Sequence, residues 1–288
     1  MTIQRILAEG KKLLEAPCTS ACIDTPALDA ALLLAEILKT SREELIAHAD
    51  GELDRRIYDT YQALLERRRS GECIAYILGR KEFCGLEFAV NPKVLVPQPD
   101  TETLFEAAME YINTYAEEGL SVLDLCTGSG ALAISLKKRN PFLSVTASDI
   151  SSEALETAAL NAKRLLSGEL AVNFIHSDIF INIPDRFDII VSNPPYVPTG
   201  EISNLAPEVQ REPRLALDGG EDGLALIRLI VAGAPFHLLP GGVLLIEADP
   251  GQMKRIRDLL ANNGFARVRL HGDLSGRDRV ISAGLTPS

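Results

Sequence analysis

The sequence predicts an α/β protein: a mostly parallel, doubly wound sheet, preceded by a helical bundle and joined to it by a short β-hairpin. Three observations predict this. From about residue 120 onward, apolar strand-like runs alternate with helical patterns, the order expected of a sheet with helices on both faces. One such run, Ile189-Ile190-Val191-Ser192, has no polar alternation and stops abruptly at Asn193-Pro194-Pro195, as a buried parallel strand would. Residues 1 to about 70 instead carry apolar side chains at helical spacing.

In the first region, Ile3, Ile6, Leu7, Leu13 and Leu14 share one helical face. Thr25-Pro26 starts a second helix, with Thr as cap and Pro in its first turn. Ser41-Arg42-Glu43-Glu44 has the form of a capping box, and Asp54 caps the helix through Ile57, Tyr61, Leu64 and Leu65. That helix ends in Arg67-Arg68-Arg69 before Ser70-Gly71, and the triplet reads as a solvated helix end. Residues 1–80 are therefore expected to form a helical recognition domain that carries no catalytic constellation.

Residues 81–100 are expected to form the linking hairpin, with strands at 86–90 and 94–96 around Asn91-Pro92. Pro97-Gln98-Pro99-Asp100-Thr101-Glu102 follows, rigid and polar, suited to a ligand-facing wall, with Asp100 or Thr101 capping the next helix. Residues 101–288 are expected to form the sheet domain. Its strands fall at 122–125, 143–148, 172–175, 187–192, 241–247, 266–270 and 279–283.

Two places in the sheet domain carry chemistry. After the first strand, Cys126-Thr127-Gly128-Ser129-Gly130 forms a turn whose glycines let a ligand approach the backbone, in front of a helix with free N–H groups. Asp149 ends the next strand, where a carboxylate can accept both hydroxyls of a ribose. This pattern alone serves NAD and S-adenosylmethionine equally. Asn193 stands at the carboxyl end of the 187–192 strand, the edge at which open α/β sheets bind ligands. Its side-chain oxygen and the carbonyl of Pro194 are acceptors for a planar NH2 group, and Tyr196 offers a flat face for stacking.

Composition narrows the classes. A chain of 288 residues suggests about two domains, and no apolar run approaches the roughly 18 residues of a membrane span. The start, Met1-Thr2-Ile3-Gln4-Arg5, lacks a signal-peptide core, so a cytoplasmic location is expected. Cys18, Cys22, Cys73, Cys84 and Cys126 show no paired metal spacing, so small core thiols and no metal are expected. A net charge of −11 argues against a dedicated DNA-binding enzyme, since duplex DNA is held largely by Lys and Arg.

Asn193-Pro194-Pro195-Tyr196 resembles the signature of S-adenosylmethionine-dependent methyltransferases acting on planar nitrogens, adenine N6 and glutamine N5 among them. Two features favour this cofactor over a dinucleotide. Asp124 precedes the turn, where a carboxylate would repel a pyrophosphate but not a methionine ammonium, and the amide-holding Asn193 follows a strand expected beside it.

The whole chain resembles the bacterial protein-(glutamine-N5) methyltransferases of peptide chain release factors. The resemblance rests on Gly71-Glu72, Ile74-Ala75-Tyr76-Ile77-Leu78-Gly79, Glu82-Phe83, Pro97 to Glu102, Asp124 to Gly130, Ser192 to Tyr196, Glu212-Pro213 and Gly276-Arg277-Asp278-Arg279. It implies a class I methyltransferase: a Rossmann-like seven-stranded sheet, mostly parallel with one antiparallel strand near an edge. It implies S-adenosylmethionine as cofactor, held by Cys126 to Gly130, Asp149, Asp178, Ile179 and Asn193. Asp178 would meet the adenine amino group and Ile179 the adenine face. Catalysis would fall to Asn193, Pro194, Pro195 and Tyr196, and the partner would be a release factor, with a monomeric enzyme and no nucleic-acid substrate. The family's first loop glycine is Cys126 here, and Glu247-Ala248-Asp249 stands where Glu-x-Gly is usual. The alternatives are an adenine-N6 methyltransferase, which needs a basic face, and a non-catalytic cofactor-binding module.

Overall fold

The computed structural model describes residues 1–16, 23–114, 119–168 and 170–285, and the Cys18–Cys22 pair lies outside them. The chain forms two compact units. One comprises Met1–Arg80 with Asn204–Arg211, the other Lys81–Ser203 with Glu212–Ser288.

The first unit is helical: α1 (Ile3–Glu15), α2 (Pro26–Leu38), α3 (Arg42–Ala47), α4 (Arg55–Arg69) and α5 (Ile74–Leu78). Ser41 and Glu44 make the reciprocal capping box, and Asp54 accepts the N–H of Ile57 at 2.9 Å. Thr25 departs from expectation: its hydroxyl donates to Asp29 at 3.0 Å and makes no side-chain bond to the α2 backbone. Ile6, Leu33, Leu34, Tyr61 and Leu65 fill the core, with the Tyr61 hydroxyl donating to the Ala30 carbonyl at 3.1 Å. The arginine triplet is not simply a solvated helix end. Arg68 is 4 % exposed and pairs with Asp29 at 2.6 Å and Glu208 at 2.9 Å. The helical period turns it inward from between Arg67 and Arg69, so adjacent arginines meet different surroundings.

The hairpin of β1 (Arg80–Phe83) and β2 (Leu86–Ala89) opens the second unit from Lys81 onward. Its turn is Cys84-Gly85, both at positive φ (49° and 75°), rather than the expected Asn91-Pro92. Residues 94–96 form no strand. Asn91 closes its own local turn by accepting the N–H of Lys93 at 2.9 Å, and the N–H of Val96 goes to the Glu212 carboxylate at 2.8 Å. The buried Asn161 clamps β2, exchanging bonds with both backbone groups of Ala89 and donating to the Ser129 carbonyl at 2.9 Å.

After α6 (Thr101–Thr114) come β3 (Ser121–Leu125), α7 (Ala131–Arg139), β4 (Ser144–Asp149), α8 (Ser152–Leu165), β5 (Val172–His176) and β6 (Phe187–Ser192). The chain ends through α9 (Ala225–His237), β7 (Leu238–Glu247), α10 (Met253–Asn262), β8 (Phe265–Gly272) and β9 (Asp278–Leu285). The seven strands run in the order β5-β4-β3-β6-β7-β9-β8, with β9 antiparallel to both neighbours, as expected. Apolar clusters cover both faces, one built with α6 and α7 and the other with α9 and α10.

Register positions the site. Leu125 pairs with Ser148 on one side and Ser192 on the other, and Ser192 pairs with Ile246. The next residue on each strand, Asp149, Cys126, Asn193 and Glu247, therefore lies in one row at the carboxyl edge.

Candidate functional site

A cavity of about 370 Å³ opens above this row, where the strand order reverses between β3 and β6. Its wall includes Cys126, Gly128, Asp149, Asp178, Ile179, Asn193 and Pro195, with 92–95 and 213–216 opposite. A smaller recess shares Leu95, Cys126, Gly128 and Asn193 with it and adds Pro97, Gln98 and Thr101. The polar 97–102 element thus reaches the side of Asn193.

The glycine-rich turn keeps its shape with a cysteine in it. Cys126 adopts φ +62°, beside Gly128 at +55° and Gly130 at +78°. A left-handed φ costs a non-glycine residue roughly 1–2 kcal/mol, so the turn is held by its surroundings. Thr127 lines the smaller recess with its donors engaged: its N–H bonds the Ser148 carbonyl at 3.0 Å and its hydroxyl donates to Asp124 at 2.6 Å. Ser129 and Gly130 are buried, and a side chain at Gly130 would meet Ile134 and Ala158. Gly128 is different. No atom stands within 4 Å of where its Cβ would be, so its open face is turned to free space.

Asp124 is 2 % exposed, and the same oxygen that takes the Thr127 hydroxyl also faces the Ala133 N–H at 3.3 Å. Burial pushes its carboxyl up to about 7. It ties the turn to the start of α7 and lines the smaller recess rather than the main cavity. Asp149 is half-buried. Its Oδ2 accepts the Gly128 N–H and its Oδ1 the Ser151 N–H, each at 2.9 Å. Burial raises its pKa, and those backbone donors oppose the rise. A carboxylate offers about four acceptor positions, so two remain for a diol.

Asp178 lies two residues beyond β5, exposed, and Ile179 follows at φ +48°. Positive φ in a β-branched residue is a strained conformation, and it puts an apolar side chain on the cavity wall.

Asn193 donates through Nδ2 to Thr101 Oγ1 at 3.0 Å. Pro194 and Pro195 are buried, and Pro195 lines the cavity. Tyr196 packs against the apolar cluster beneath α9 and α10. Behind it, Glu247 is 1 % exposed and its carboxyl is pushed up to about 7 by burial, a rise that the neighbouring Thr101 and Tyr196 hydroxyls oppose.

Three parts of the site were not anticipated. Thr101 reads as a helix cap yet partners Asn193. Glu247 reads as a strand end yet lies behind them. Gly219 and Gly223 read as loop residues yet hold the Asn-Pro-Pro-Tyr turn: a Cβ at Gly219 would stand 2.8 Å from the Pro195 carbonyl, and one at Gly223 would strike the Tyr196 carbonyl. The Asp218-Gly219-Gly220 cluster signalled a turn, but nothing local linked it to Tyr196.

The chain matches the family model of the PrmC N-terminal domain over residues 6–79 and that of the methyltransferase small domain over 106–221. It is 42% identical over 266 residues to the release factor glutamine methyltransferase of Burkholderia pseudomallei, covering 91% of this chain and 92% of that protein. The protein of that name from Moorella thermoacetica is 36% identical over 286 residues, 98% of both chains. Among solved structures, a methyltransferase from Pyrococcus furiosus aligns with a TM-score of 0.52 over 78% of this chain and 98% of its own, at 22% identity, a likeness of fold. No described helix is long and apolar enough to cross a membrane.

Proposed function

The chain belongs to the release factor glutamine methyltransferase family, and on that premise we propose that it transfers a methyl group from S-adenosylmethionine to the N5 amide nitrogen of the glutamine in the Gly-Gly-Gln motif of a peptide chain release factor. The observation that carries this reading is the Asn193–Thr101 bond. With Nδ2 engaged by Thr101, Asn193 presents Oδ1 as its acceptor at the edge of the cavity.

The residues present fit the cofactor. Asp149 has acceptor capacity for both ribose hydroxyls, Gly128 leaves space for close approach, and Asp178 and Ile179 offer an acceptor and an apolar face to adenine. Cys126 to Gly130 shape the floor by backbone conformation. When bound, S-adenosylmethionine would supply the methyl group from its sulfonium and leave as S-adenosylhomocysteine, the methylated nitrogen then losing one proton.

A carboxamide nitrogen is a poor nucleophile because its lone pair is delocalised. Asn193 Oδ1 and the Pro194 carbonyl accept its two N–H groups and aim the nitrogen. The Pro194–Pro195 bond is tertiary, so no N–H from Pro195 competes nearby. Rate comes from alignment at near-attack distance and from acceptors placed where positive charge develops. Pro195 walls the site, and Tyr196 anchors the turn through the core and Glu247. No metal is required for this alignment.

The helical residues 1–80 recognise the release factor, residues 81–100 link, and 101–288 bind cofactor and transfer methyl. The enzyme acts as a cytoplasmic monomer and without a nucleic-acid substrate, the last supported by its net charge of −11. The test is transfer of labelled methyl to purified release factor, with DNA and a Gln-to-Ala release factor as controls. Label in intact release factor alone is expected; label in DNA and none in protein overturns the proposal.

A further inference from the structure

We infer that Glu212 is a positioning residue for the cofactor: its carboxylate, bonded to the backbone N–H of Val96, clips together two loop segments that wall the cavity. The inference rests on the assignment of that cavity to S-adenosylmethionine.

Glu212 is the residue at which the chain re-enters the second unit, after Asn204–Arg211 have belonged to the first. Pro213 to Ala216, which follow it directly, line the cavity. Pro92 to Leu95 line the same cavity, and Val96 follows them directly. Glu212 Oε2 accepts the Val96 N–H at 2.8 Å, a bond between residues 116 positions apart. Both residues are buried, and both segments lie in the second unit.

Neither segment takes its place from the sheet. Asn91 accepts the N–H of Lys93 at 2.9 Å through its side chain and that of Val94 at 3.1 Å through its carbonyl, all within one turn. Arg214–Ala216 is a short 3-10 helix, and the N–H groups of Ala216 and Leu217 return to the Pro213 and Arg214 carbonyls at 2.8 and 3.0 Å. Such bonds shape each segment but do not fix one against the other. The bond of Glu212 to Val96 does. A carboxylate accepting a backbone N–H is among the stronger hydrogen bonds, and burial keeps water from competing for it. Removing the carboxylate would leave a buried donor unmet, at a cost of about 1–3 kcal/mol. The segment escapes that cost by moving out to water, which opens the wall.

The clipped wall continues toward the methyl acceptor. Leu217 accepts the Val197 N–H at 2.9 Å, and the Gly219 N–H donates to the Val197 carbonyl at 2.8 Å, next to Tyr196. A shift of the wall is therefore felt by the cofactor and by the Asn-Pro-Pro-Tyr turn together. Linkage adds a second consequence. A clip that favours cofactor binding is favoured by the bound cofactor in return, by the same factor.

The experiment is calorimetric titration of the full chain with S-adenosylmethionine, without release factor, together with amide hydrogen exchange of the wild type by NMR. Asp188 supplies the control. It accepts the Ser121 N–H at 2.8 Å, again carboxylate to backbone, but at the amino ends of β3 and β6. Glu212→Ala is expected to weaken cofactor binding by about fivefold or more. Glu212→Gln keeps an acceptor oxygen and is expected to bind as the wild type does. Asp188→Ala is expected to lower the melting temperature and leave the dissociation constant unchanged. In the wild type, saturating cofactor is expected to slow exchange of the Val96 amide more than that of Ser121.

A wild-type dissociation constant in Glu212→Ala, a loss in Glu212→Gln as large as in the alanine variant, an equal loss in Asp188→Ala, or equal slowing at Val96 and Ser121 overturns the inference. The exchange measurement needs no variant, so it decides if Glu212→Ala fails to fold. Asp149→Ala, titrated alongside, separates the two levels. Undiminished binding there removes the assignment of the cavity, whereas weak binding there with normal binding in Glu212→Ala removes only the clip.

Discussion

The backbone N–H of Gly128 donates to Oδ2 of Asp149 at 2.9 Å, tying the glycine-rich turn after β3 to the tip of β4. The carboxylate expected to hold the ribose therefore also orders the loop beneath the cofactor. Asp149→Ala is expected to weaken S-adenosylmethionine binding by about 1.5–3 kcal/mol for each charged hydrogen bond lost and to lower the melting temperature. Calorimetric titration checks the first; an unchanged dissociation constant would refute the assignment of Asp149.

Asn193→Ala is expected to lower the single-turnover rate by about 10²–10³-fold, the usual effect of losing one positioned polar group in a transition state. Cofactor affinity should hardly change, because the lost oxygen is assigned to the substrate. Asn193→Asp keeps an acceptor oxygen and is expected to retain more activity than the alanine variant. Rate and melting temperature measured on the same samples distinguish this from a turn that merely unfolds.

Gly219→Ala and Gly223→Ala are expected to impair transfer without touching any ligand. A methyl at 219 would meet the Pro195 carbonyl at 2.8 Å, and one at 223 would meet the Tyr196 carbonyl and the Gln252 amide that braces it. Gly223 also has φ +73°, so strain adds to the clash. Gly200→Ala, with nothing within 4 Å, is the control and should transfer normally.

Arg68→Ala is expected to destabilise the helical unit by about 3–5 kcal/mol, because it strands a buried Asp29 carboxylate. The pair Arg68→Met with Asp29→Leu should recover most of that loss, since apolar residues of similar volume carry no desolvation cost. Denaturant unfolding of the three variants measures the recovery; a double variant no more stable than Arg68→Ala would show that the ion pair itself stabilises the unit.

Asp124 predicts a pH dependence of stability. Its folded pKa, about 7, lies above the unfolded value of 3.8, so the folded state holds its proton longer. The resulting contribution is fully present below about pH 4 and is lost as pH rises through about 7. Asp124→Asn removes that loss while keeping an acceptor for Thr127 and Ala133. Its stability relative to the wild type should therefore improve from pH 5 to pH 8, by a few kcal/mol at most. A difference independent of pH contradicts the burial argument.

Local signals in the sequence were enough for the positions of the seven strands, the glycine-rich turn, the aspartate ending β4 and the asparagine ending β6, whereas the antiparallel strand was implied only by the family resemblance. Each of the former follows from periodicity within one element or from a residue type at the end of one element, and such signals are local. Tertiary structure decided the remainder. Val94-Leu95-Val96 has the composition of a strand, but β2 pairs backward with β1 through Cys84-Gly85, and the Val96 N–H bonds a carboxylate more than a hundred positions away in sequence. Arg68 looks like its neighbours in the triplet, and only its facing toward Asp29 buries it. The row of Asp149, Cys126, Asn193 and Glu247 exists because strand register aligns four ends that are distant in sequence. A hydrogen bond such as that of Asn193 to Thr101 depends on atomic separation, which no spacing along the chain encodes.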